Sequence, residues 1–129
     1  PADQIYRHPV ISTDLMATFT KSAGAPKPSK TLDSVDLIPF VTGENAQAPH
    51  DSLFWRVGAK RAIRMGDWKA LLEPTRFGSP DWQLYNLRHD IGEENDLATQ
   101  QVDVLNSLKE QWDSINAQMI DPLFDPRKK

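Results

Sequence analysis

From about Thr99 to Met119, apolar residues recur at steps of three and four: Val102, Leu105, Leu108, Trp112, Ile115 and Met119. That spacing stacks side chains on one face of an α-helix. The stretch therefore predicts one long amphipathic helix with a stripe wide enough to lie on the face of a sheet. A helix of this kind constrains everything before it, because its stripe must be buried and the preceding segments must supply the surface. Pro122 and Pro126 forbid its continuation.

Strand signals do precede it. Ser52 to Val57 and Arg61 to Met65 are rich in aromatic and β-branched or apolar residues. Gly66-Asp67 then makes a tight turn, since Gly accepts the positive φ that a hairpin demands. Trp68 to Leu72 follows, with Trp68, Ala70 and Leu72 on one face and Lys69 and Leu71 on the other. A Pro/Gly loop over 73–81 leads to a fourth strand, Trp82 to Leu87. The residues thus predict an α+β fold: a small antiparallel sheet of about four strands with the long C-terminal helix packed on it, preceded by short helices.

Those short helices lie before residue 50. Ser12 or Thr13 can cap a helix starting near Asp14, whose carboxylate suits a helix N-terminus. Leu15, Met16, Phe19 and Ala23 form its apolar face, and Gly24 stops it. Residues 25–30 read as a Pro-rich linker. Asp33 to Val41 reads as a second short helix with Pro39 confined to its first turn and Gly43 at its end, followed by a loop over 44–51. The expected division is residues 1–50, helical segments and linker, and 51–129, the sheet and long helix.

The 129 residues suit one domain of ordinary size, and 39% hydrophobic with 26% charged residues suits a soluble globular chain. A net charge of −3 without a long like-charge run argues against a nucleic-acid partner. The one basic run, Arg127-Lys128-Lys129, reads as a solvated tail. The absence of Cys excludes a disulfide framework, a thiolate zinc site and a cysteine nucleophile. No apolar stretch approaches the ~20 residues of a membrane span, so no membrane partner is expected. No signal peptide is read at the N-terminus, and the start at Pro1 rather than Met suggests a fragment or processed product.

Chemistry is sparse. His8, His50 and His89 have no i, i+4 pairing of the helical zinc type and read as surface or turn residues. His50-Asp51 and His89-Asp90 are only sequence neighbours, which seldom gives dyad geometry. Asp90-Ile91-Gly92-Glu93-Glu94-Asn95-Asp96 is acidic but departs from the EF-hand pattern, and reads as a turn feeding the last helix. Arg56, Lys60, Arg61, Arg64 and Lys69 crowd the two hairpins, and alternation puts some of them on a shared face that could receive an anion. There is no phosphate loop and no nucleophile elbow. No catalytic and no metal-ligating residue is assigned.

The segments, in order, resemble the type I sulfatase family. His8 to Phe19, ending in Ala23-Gly24, is similar to the stretch that closes that family's large α/β domain. Leu32 to Gly43 resembles its "LDGVSLLPLLKG", Leu53-Phe54-Trp55-Arg56 follows, Arg61 to Lys69 resembles "RAVRDGDWKL", and Leu84 to Leu97 resembles "LYDLSNDPGETNNLA". Ser34 stands where the family usually has Gly, and Ile91 where it often has Pro. The resemblance implies a sulfuric ester hydrolase whose formylglycine, made from Cys or Ser in a C/S-x-P-x-R stretch, and whose calcium or magnesium ion lie upstream. Neither a Cys nor a Ser followed two residues later by Pro occurs here, so the chain is expected to carry no cofactor and to be inactive alone. Its expected partner is the missing N-terminal catalytic domain, with self-association through exposed apolar faces when that partner is absent. The sequence leaves the compartment open, and the resemblance allows a periplasmic or secreted parent. Trp68 and Tyr85 are expected anchors, and His50, Arg56, Arg61 or Lys69 is expected to face the cleft and help choose the substrate.

Overall fold

The computed structural model describes residues 3, 5–26, 29, 32–74 and 81–120. The tail 127–129, Pro122, Pro126, and parts of the expected linker and of the loop over 73–81 lie outside the described residues. The chain divides into two compact units, Pro1–Asp51 and Ser52–Lys129.

The second unit is an α+β layer. Strands β1 (Leu53–Val57), β2 (Lys60–Met65), β3 (Trp68–Leu72) and β4 (Gln83–Asn86) form one antiparallel meander in sequence order. Gly58 and Gly66, with φ of 58° and 57°, make the first two reversals; a side chain at such a φ is strained, which is why glycine is needed there. The register pairs Phe54 with Ile63, Ile63 with Ala70, and Ala70 with Leu84. These four form one row across the sheet. Helix α3 (Val102–Asn116) lies over that row and buries Leu105, Leu108 and Trp112 against Ile63, Ala70 and Leu84. The Trp112 indole stacks on Phe54 with ring centres 5.1 Å apart, and meets Trp82 edge-on at 6.1 Å. Its Nε1 donates to the Trp55 carbonyl at 3.3 Å. The outer edge of β4 is closed by the segment that follows it: Leu97 N–H donates to the Leu84 carbonyl at 2.8 Å, and Leu84 N–H to Asp96 Oδ1 at 3.0 Å. An edge strand covered in this way cannot template pairing with another chain.

The first unit departs from the sequence reading in three ways. Helix α1 (Asp14–Ser22) begins where expected, but Thr13 makes no side-chain cap bond. The face it buries is polar: Asp14 and Thr18 are its buried residues, whereas Leu15, Met16 and Phe19 are 50%, 64% and 65% exposed. The second short helix spans only Ile38–Val41, with Pro39 in its first turn. Asp33 to Leu37 do not join it, because their backbone donors are taken elsewhere: Val35 N–H by Asp14 Oδ1 at 3.0 Å, and Leu37 N–H by Thr18 Oγ1 at 2.9 Å.

Candidate functional sites

The hub of the first unit is the Asp14 carboxylate, which is fully buried. Oδ2 accepts Ile11 N–H at 2.9 Å and lies 2.8 Å from His50 Nε2, while Oδ1 accepts Val35 N–H. Three stretches far apart in sequence therefore converge on one side chain. Thr18 completes the cluster, donating to the Asp14 carbonyl at 2.8 Å while it receives Leu37 N–H. Burial pushes the Asp14 carboxyl up, but the bonds from Ile11, His50 and Val35 outweigh it and hold the group below its ordinary range. From sequence, Asp14 reads as a helix-dipole residue and His50 as a surface or turn residue whose neighbour Asp51 makes no dyad. The partner that His50 finds is 36 positions away.

In the second unit, pleating separates the cations. Register places Arg56 opposite Arg61, and Arg64 opposite Lys69. Like charges directly opposite each other destabilise a sheet unless each is drawn aside, and each is. On the helix side, Arg56 donates to Asn116 Oδ1 and to the Ile120 carbonyl, both at 2.6 Å, closing the C-terminal end of α3. There a positive charge also complements the helix dipole. Arg61 lies over the Trp112 ring, 4.8 Å from its centre, in a cation–π contact. On the opposite side, Lys69 pairs with Glu93, Lys60 pairs with Glu73, and Arg64 Nε donates to the Gly66 carbonyl at 2.9 Å.

The four residues singled out from sequence thus occupy three places. Arg56 and Arg61 support α3, Lys69 sits on the other sheet face, and His50 belongs to the Asp14 hub. Lys69, Arg64, Ala62, Leu87, Glu93 and a 38% exposed Trp55 line a concavity of about 440 Å³. From sequence, Trp55 reads only as a strand residue. Alternation with the helix-facing Phe54 was the signal that could have found it.

The acidic run is a turn. Asp90 Oδ1 and Oδ2 accept the N–H groups of Glu94 and Asn95 at 3.1 and 2.9 Å, which hold its carboxyl below the ordinary range. Glu93 adopts a φ of 56°. Tyr85 is buried, and burial, reinforced by the charges of Asp96, Glu93 and Asp90, pushes its hydroxyl up. Among the described residues no three His, Asp or Glu side chains gather as a metal-ligand set.

An uncharacterised sulfatase of Schizosaccharomyces pombe is 32% identical over 108 residues, which is 77% of this chain and 20% of the relative. Arylsulfatase A of Homo sapiens is 40% identical over 65 residues, 46% of this chain and 13% of its own. The chain is a sulfatase homologue. No family model matches it. Among solved structures, that of Ps i-CgsB, also determined in complex with k-i-k-neocarrahexaose, covers 97% of this chain at a TM-score of 0.75 and 28% identity. This sulfatase homologue spans a fifth or less of the curated relatives, and 28% of the Ps i-CgsB chain.

Proposed function

We propose that the chain is the C-terminal part of a sulfatase, and that it packs as a non-catalytic portion against a catalytic domain in the rest of a longer polypeptide. The observation that carries this reading is the mismatch of shares in the fission-yeast match, 77% of this chain against 20% of the relative. Two physical features support it. Leu15, Met16 and Phe19 form a contiguous exposed apolar patch on α1, of the kind that marks an interaction surface. The chain also supplies no nucleophile of the expected type, having neither Cys nor a Ser-x-Pro sequence.

A formylglycine and a calcium or magnesium ion do not fit the residues here, because the chain lacks the precursor and the described residues gather no ligand set. In this reading both belong to the catalytic domain. For the substrate cleft, Lys69 is the cation best suited to an anionic group. Its side chain keeps 25% of its surface, borders the concavity beside Trp55 and Arg64, and is held at rest by Glu93. Arg56 and Arg61 are committed to α3.

The test is the size of the native polypeptide, read by blotting with an antibody against residues 84–119. A band several times larger than the chain is expected. A band of the chain's own size contradicts the reading, and points instead to a stand-alone binding module derived from the same fold.

A further inference from the structure

One acid–base pair is left unused by this reading. The Asp14 carboxylate, held ionised by its donors, can only accept hydrogen bonds. The His50 nitrogen lying 2.8 Å from it, Nε2, therefore carries a hydrogen whatever the charge of the ring. That leaves Nδ1 as the one ring nitrogen that can be bare. Nδ1 makes no hydrogen bond among the described residues. Among the described residues, Nδ1 is not one of the buried side-chain atoms that lack a partner, the Tyr6 hydroxyl being the one such atom. The imidazole as a whole keeps about 10% of its surface.

The mounting is rigid. Ile11 and Val35 N–H groups fix both carboxylate oxygens, and Thr18 ties the Asp14 carbonyl to Leu37. A carboxylate that orients a histidine through one nitrogen, setting the tautomer so that the other nitrogen does the work, is a recurrent device at functional sites.

We propose that Asp14 holds His50 as a single tautomer whose bare Nδ1 is a directional hydrogen-bond acceptor for a hydroxyl group of a ligand. A bare nitrogen attracts an O–H donor and repels an anionic oxygen, so the role is recognition of a hydroxyl and not of the sulfate. The ligand class rests on the sulfatase reading, in which the hydroxyl belongs to the alcohol part of a sulfate ester. Asp14 is then a positioning residue.

Two measurements test it. In the 129-residue chain, imidazole nitrogen NMR at mildly alkaline pH should show His50 protonated on Nε2 alone. A His50 protonated on Nδ1, or a mixture of tautomers, overturns the proposal. In the longer polypeptide, His50→Gln keeps an N–H donor for Asp14 but removes the ring nitrogen. It should lower kcat/KM about 10-fold, one hydrogen bond's worth, for 2-hydroxyphenyl sulfate, whose free hydroxyl beside the ester stays protonated at neutral pH. For phenyl sulfate, which has none, kcat/KM should be unchanged. Equal losses on both esters, or none on either, overturn the hydroxyl role while the sulfatase reading stands. A wild-type polypeptide that turns over neither ester contradicts the sulfatase reading instead, and the tautomer then decides the dyad alone.

Discussion

Replacing Asp14 by Asn changes one atom and should release the first unit. The Asn side chain has a single acceptor oxygen. With that oxygen toward Val35 N–H, the amide nitrogen stands where Oδ2 accepts Ile11 N–H and approaches His50 Nε2, so donors face donors. Turned the other way, the amide loses Val35 instead. In that cheaper orientation one bond to a buried carboxylate is lost, worth about 1.5–3 kcal/mol, and the Val35 donor is left without an acceptor. No apolar core offsets the loss, since Asp14 and Thr18 are the buried residues of α1. The assay is native-state amide hydrogen exchange. Protection of Val35 and Leu37 should fall by about 10-fold or more, every ~1.4 kcal/mol being tenfold, while Ile63 in the sheet keeps its protection. Unchanged protection at Val35 and Leu37 in the Asn variant would refute the hub.

The same carboxylate sets a pH dependence. Its folded pKa lies below the ordinary value of about 3.9, so its stabilisation is present above that value and is lost as pH falls through the lower folded value; the protection factor of Val35, taken relative to the intrinsic exchange rate at each pH, should stay constant from pH 6 downward and fall only in that acidic window. Trp112→Ala removes the ring that joins Phe54, Trp82 and Arg61 and should destabilise the sheet unit by about 3–5 kcal/mol in urea unfolding. Arg56→Ala frees Asn116 and the Ile120 carbonyl and should speed amide exchange at Ala117 and Gln118 without altering Ile63. Lys in place of Arg56 should not restore it, because a point charge cannot reach both acceptors as the guanidinium fork does.

The sheet and α3 were legible in the sequence because their periods are short-range. Alternation fixes which of Trp68, Lys69 and Ala70 face together, and the three–four stripe fixes Leu105, Leu108 and Trp112. Parity also sorted the cations, since Arg56 and Arg61 share one face and Arg64 and Lys69 the other. Their partners were not legible, because Asn116, Ile120, Trp112 and Glu93 come from segments 24 to 64 residues away. The first unit misled for a related reason. Periodicity correctly located α1, but which face is buried depends on hydrogen bonds from Val35, Leu37 and His50, and a polar residue that gathers distant backbone donors resembles an ordinary helix cap. The expected helix over Asp33 to Val41 failed at the residues whose N–H groups those side chains take.

The central claim, that the chain is a non-catalytic part of a sulfatase, is tested most directly by sulfate release. Two samples are compared: the longer polypeptide that contains this chain, and the 129-residue chain by itself. The account predicts ester hydrolysis by the longer polypeptide and none by the chain. Turnover by the chain alone, abolished by a single substitution within it, would contradict the account and make the chain an enzyme in its own right.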